Sequence, residues 1–177
     1  GTALAMVLLE NGHDVTLWSY SEDESKVLRE TGENPMLKGV ALPETLKLTS
    51  DMACVKGCGA VVLATPSFAV RETARKLSAL LEPETILISV SKGIEKDTSL
   101  TLTQVIASEV GEKVKIVALS GPSHAEEVGR RVPTTVVAAS RDQAAAELVQ
   151  DLFMNPRFRV YASDDVVGVE LAAALKN

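Results

Sequence analysis

The stretch LSGPSHAEEV (Leu119–Val128) places a Gly-Pro-Ser turn, a histidine and two glutamates directly after an apolar run. A turn needs only the glycine and the proline. Loops beyond strand ends are also where open α/β sheets bind ligands. A second apolar run, ISV, ends in Ser91-Lys92-Gly93. Lys92 alone would ordinarily be a solvated loop residue, but at a shared rim it is a point charge suited to a phosphate or a carbonyl oxygen. A cation beside a turn with free N–H groups and the Ser123 hydroxyl makes an anion site. His124 stays open between a packed or solvent-facing residue and an acid or base.

A second lysine ends the sequence VVGVELAAALKN. Helical spacing puts Val169, Ala172 and Ala173 on the face of Lys176. A lysine held there beside a cleft would be desolvated, its pKa lowered, and so fitted for proton transfer. The alternative is a lysine that snorkels to the surface near a helix end. Periodicity alone does not choose between them.

These residues need a scaffold that gathers strand ends. GTALAMVLLENG is apolar around most of a helical turn and closes at Gly12. HDVTLWSY then reads as a strand, and SEDESKVLRETG as a helix with Ser21 and Glu24 at capping-box spacing, stopped by Gly32. Residues 33–44 read as a loop. LKLTSD, AVVLATPS, TILISVSKG, VKIVALSG, TTVVAAS and RFRVYAS are strands. MACVKG, FAVRETARKLSALL, SLTLTQVIASEVG, RDQAAAELVQDLFMN and DDVVGVELAAALKN are helical. Apolar strands alternating with helices predict a doubly wound α/β domain with a mostly parallel sheet covered on both faces.

Within such a sheet, Gly1 and Thr2 at the start of a helix would be the end of a glycine-rich loop, near a pyrophosphate at the positive helix end. A small residue opening a helix explains them equally well. The next strand ends in Ser19 and Tyr20, where an acid usually meets the ribose hydroxyls. Glu22 could substitute, so NAD and NADP both remain open. Thr65-Pro66-Ser67 leaves room for a nicotinamide, and a plain helix start accounts for it as well.

The composition, 46% hydrophobic and 24% charged, is that of an ordinary globular domain. With 18 basic against 24 acidic residues the net charge is −6, which gives no field for nucleic acid or an anionic membrane. The longest apolar runs are far too short to span a bilayer. No signal peptide is visible, and the expected location is the cytoplasm. Cys54 and Cys58 have no second Cys or His pair nearby, so no metal is expected and both read as reduced thiols.

In this order GTALA, ATPS, SKGIE, LSGPSHAEEV, PTTVV and GVELAAALKN resemble the bacterial type of NAD(P)-dependent glycerol-3-phosphate dehydrogenase. The resemblance covers the whole chain. It implies a Rossmann-like dinucleotide-binding domain over residues 1–163, lacking its first strand and glycine loop. Residues 164–177 would begin a helical substrate domain that is otherwise absent. The implied reaction is NAD(P)H-dependent reduction of dihydroxyacetone phosphate to sn-glycerol 3-phosphate, for phospholipid synthesis.

By the same resemblance Lys92 contacts cofactor and substrate, Gly121 and Ser123 the substrate, and Ala125 the cofactor. Tyr20 lines the adenosine end, and Lys176 is the general acid as well as a substrate contact. The implied partner is a small phosphorylated molecule, with a homodimer as an admissible assembly. Ala172-Ala173 departs from the glycine pair common in the family. The alternatives are a related β-hydroxyacid or ketopantoate-type reductase, or a dinucleotide-binding fragment without catalysis. The fragment itself is expected to be inactive.

Overall fold

The computed structural model describes residues 1–176. Asn177, the last residue of the GVELAAALKN motif, lies outside the described residues. The first elements are α1 (Thr2–Glu10), β1 (Thr16–Trp18), α2 (Glu22–Thr31), β2 (Lys47–Thr49), β3 (Ala60–Leu63), α3 (Val70–Ser78) and β4 (Ile86–Ser89). There follow α4 (Leu102–Val110), β5 (Lys115–Ser120), α5 (Ala125–Gly129), β6 (Thr134–Ala139), α6 (Gln143–Phe153), β7 (Phe158–Ser163) and α7 (Val166–Leu175). Met52–Val55 and Ser67–Ala69 are single 3-10 turns.

β3 to β7 form one sheet in sequence order, with β1 and β2 as a separate parallel pair. Every neighbouring pair in the large sheet is parallel except β5 and β6. That reversal follows from the segment between them, where α5 packs on α1 instead of crossing the sheet. The expected doubly wound, mostly parallel arrangement is what forms. β1 is three residues long where the sequence predicts a longer strand. A strand extends only as far as its partner does, and among the described residues β1 pairs only with the equally short β2.

Strand alternation sends side chains to two cores. On one face Ile86, Ile88, Val117 and Leu119 pack with Ala3 and Val7 of α1 and with Val149 and Phe153 of α6. On the other, Leu63 and Leu87 pack with Val70, Ala74 and Leu77 of α3 and with Leu102, Val105 and Ile106 of α4. The α1 stretch reads as apolar all round because it is buried against both the sheet and α5.

Ser21 caps α2 by accepting from the Glu24 N–H at 3.1 Å, and Gly32 ends it in the left-handed region. Only half of the expected capping box forms, because the Glu24 carboxylate accepts from the Ser19 hydroxyl instead. The reciprocal box forms on α4, where Thr101 and Gln104 each cap the other's backbone N–H.

Candidate functional site

The carboxyl ends of β3, β4 and β5 are laced together by their loops. Ser91 Oγ donates to the Thr65 carbonyl, joining the loops after β4 and β3. Gly93 sits at φ 135°, outside the range of ordinary side chains, and a Cβ there would meet the Ser67 Cβ at 3.4 Å. Beyond it, Arg71 on α3 grips Glu95 with two hydrogen bonds of 2.6 and 2.8 Å and reaches Glu109 on α4 at 2.6 Å. The hydrogen bond from Arg71 holds the Glu95 carboxyl down at about 2. This forked network anchors the loop that carries Lys92.

Lys92 leans into the rim, and its Nζ donates to the Gly121 carbonyl at 2.8 Å. The Ser123 N–H donates to the same oxygen at 2.8 Å, and the Ser123 hydroxyl lies 3.4 Å from it. Burial holds the Lys92 ammonium below the ordinary lysine range, and the positive charge of Lys176 adds to the effect. Lys176 is therefore within electrostatic reach of Lys92.

A hollow of about 180 Å³ opens beside these groups, lined by Gly1, Leu4, Val90, Lys92, Ser123 and Ala125 among others. Four of the residues singled out in the sequence thus share one wall, and the Gly121 carbonyl joins them through Lys92. Gly1 precedes α1, whose first turn receives no side-chain cap. Its uncapped N–H groups form the positive end of a helix at the edge of the hollow. A Cβ on Gly1 would sit 3.6 Å from the Ala64 Cβ and 3.7 Å from Leu17, at ordinary van der Waals contact. The charge of that uncapped helix end is of the sign that fits a dinucleotide pyrophosphate.

Two expected residues stand outside the hollow. Tyr20 is 83% exposed beyond β1, with its ring edge-on to Trp18 at 6.5 Å. Lys176 follows α7 and is exposed. Ala172 beneath it is exposed too, with Val169 and Ala173 half-buried. Of the two alternatives that periodicity left open, Lys176 takes the exposed one, because α7 carries it past the edge of the packed core, and burial falls on Lys92. His124 is exposed at the N-cap of α5. Glu22 is engaged by Ser50 and by Arg29 at 3.1 Å, so its carboxylate already has partners.

Gly121 has a steric reason as well as a polar one. A Cβ there would come within 2.7 Å of the Thr135 carbonyl oxygen and 2.9 Å of the Val136 Cα, both backbone of β6. We expect Gly121→Ala to cost about 1–3 kcal/mol, as overpacking against a rigid strand does. Thermal unfolding should show it as a clear drop in Tm, and an unchanged Tm would mean that the loop yields freely.

Sequence reasoning missed two residues. Phe68, 88% exposed in the turn after β3, stands at the rim beside Arg71. A large aromatic immediately after the Thr-Pro-Ser corner was its available signal. Glu170 on α7 is 6% exposed and accepts from Thr103 on α4. Periodicity could not reveal it, since its partner lies far away in the sequence.

Comparison with known proteins identifies the family and the fold. The model of the NAD-dependent glycerol-3-phosphate dehydrogenase N-terminus matches residues 1–146. The glycerol-3-phosphate dehydrogenase (NAD(P)+) of Moorella thermoacetica is 51% identical over 179 residues, taking in 100% of this chain and 53% of the relative. Its counterpart in Agathobacter rectalis is 48% identical with the same coverage. The crystal structure of the Coxiella burnetii glycerol-3-phosphate dehydrogenase superposes with a TM-score of 0.90 at 36% identity. It covers 97% of this chain and 53% of that one. The chain spans about half the length of the curated relatives it matches. With that match covering residues 1–146, the chain belongs to the NAD-dependent glycerol-3-phosphate dehydrogenase family.

Proposed function

We propose that the complete protein reduces dihydroxyacetone phosphate to sn-glycerol 3-phosphate, reversibly, and that in the cytoplasm this feeds glycerophospholipid synthesis. The observation that carries the reading is the half-buried Lys92 ammonium, bonded to Gly121 in a hollow shared with Ser123 and Ala125, with the charge of Lys176 in reach. Lys92 at the wall of a small, mostly apolar hollow, with the charge of Lys176 nearby outside it, suits a substrate that is both a phosphate ester and a carbonyl.

NAD(P)H, when bound, supplies the hydride for carbonyl reduction. The uncapped first turn of α1 behind Gly1 would hold its pyrophosphate, Ala125 and Lys92 would border its nicotinamide half, and Tyr20 its adenosine end. Lys92 would orient the substrate with Gly121 and Ser123. Lys176 would give its Nζ proton to the new alkoxide and take it back in the reverse direction. The Moorella and Agathobacter relatives bear the name glycerol-3-phosphate dehydrogenase (NAD(P)+), which supports this reading.

The test is NAD(P)H oxidation by the full-length protein, dependent on dihydroxyacetone phosphate. Dihydroxyacetone lacking the phosphate should not replace it. Equal turnover of ketopantoate or of the unphosphorylated ketone would instead favour a related reductase sharing the architecture.

A further inference from the structure

Glu170 is the one charged side chain buried in the body of α7, and the mechanism above does not use it. Its carboxylate accepts from the Thr103 backbone N–H at 2.8 Å and from the Thr103 hydroxyl. Thr103 lies in the first turn of α4 and is itself buried, as is Thr101, which caps that helix. A carboxylate at a helix N-terminus meets unpaired N–H donors and the positive end of the helix dipole. Among the described residues these are the hydrogen bonds that join α7 to another element.

The rest of the inner face of α7 is Val166, Val169, Ala173 and Ala174, all half-buried. Small apolar contacts are non-directional and allow a helix to slide or rotate. Two hydrogen bonds to one carboxylate do not. On the other side of the clasp, Thr101 pairs with Ile94, two residues beyond Lys92. The chain of contacts therefore runs from the Lys92 loop through the start of α4 to Glu170. From Glu170, Lys176 lies six residues on, about 9 Å along the helix at 1.5 Å per residue.

We propose that Glu170 is a positioning residue: by clasping Thr103 it sets the rotation and register of α7, and so places Lys176 opposite Lys92. This rests on the function proposed above for Lys176. A misplaced reacting group of this kind costs about 10²-fold in rate.

The test uses the full-length enzyme. Glu170→Ala should lower kcat by about 10²-fold while the NAD(P)H Kd moves less than about threefold. Glu170→Gln, able to keep both contacts by donating to the Thr103 oxygen, should stay within about fivefold of the parent. In a Lys176→Ala background, Glu170→Ala should cause no further loss of kcat, since both act through one group. A folded Glu170→Ala enzyme with near-parental kcat overturns the proposal. So does a Gln variant as poor as Ala, or a full additional loss in the Lys176→Ala background.

If Glu170→Ala does not fold, Thr103→Val decides. A fall of about 3–10-fold that disappears in the Lys176→Ala background supports the clasp, and no fall overturns it. Hydrogen exchange separates this proposal from the functional one. Glu170→Ala should deprotect the Thr103 amide and the α7 amides whether or not dihydroxyacetone phosphate is the substrate, and unchanged protection refutes the clasp.

Discussion

Lys176→Ala in the full-length protein should reduce kcat by about 10²–10⁴-fold, the range for loss of a positioned general acid. NAD(P)H affinity should change little, because Lys176 lies outside the hollow that Gly1 and Ala125 line. Lys176→Arg should rescue poorly: guanidinium keeps the charge but does not release its proton. Steady-state kinetics with a cofactor titration on the same samples gives both numbers. Turnover close to that of the parent would remove Lys176 from the chemistry and leave Lys92 as the only cation in the mechanism.

Replacing Lys92 by methionine should cut kcat/KM by about 10²–10³-fold, as removing one electrostatic donor from a developing charge does. The same change should leave Tm level or raise it. Burial holds the Lys92 pKa below its ordinary value of 10.5, with the charge of Lys176 adding to it. Between the folded and unfolded values the unfolded chain binds more protons, so stability rises with pH in that window. Below it the charged ammonium costs stability, and methionine removes that cost. The Gly121 carbonyl is not orphaned by the substitution, since the Ser123 N–H still donates to it.

The same shift sets the pH dependence of the reaction. Substrate capture by Lys92 should fade as pH rises through its lowered pKa, before an ordinary lysine would lose its proton. A kcat/KM profile whose basic limb stays flat up to 10.5 would contradict this, as would a Lys92→Met protein that melts well below the parent.

The alternation of apolar runs with helical stretches was enough to predict a two-faced, mostly parallel sheet, because burial on both faces writes itself into local composition. The loops after β4 and β5 were legible as a rim for the same reason: their small and charged residues interrupt apolar strands. Strand length was less legible, as HDVTLWSY shows. Its propensity runs for eight residues, but hydrogen bonds form only where a partner strand lies alongside.

What the linear chain determined, then, is which residues reach the rim. Only the tertiary structure decided how they share it. Lys92 and Lys176 look alike as loop and helix-end lysines, yet packing half-buries the first against Gly121 and leaves the second in water. Glu170 looks like a surface glutamate until α7 meets the start of α4. Desolvation and hydrogen-bond partnership depend on neighbours from distant parts of the chain, and no local pattern of residues encodes them.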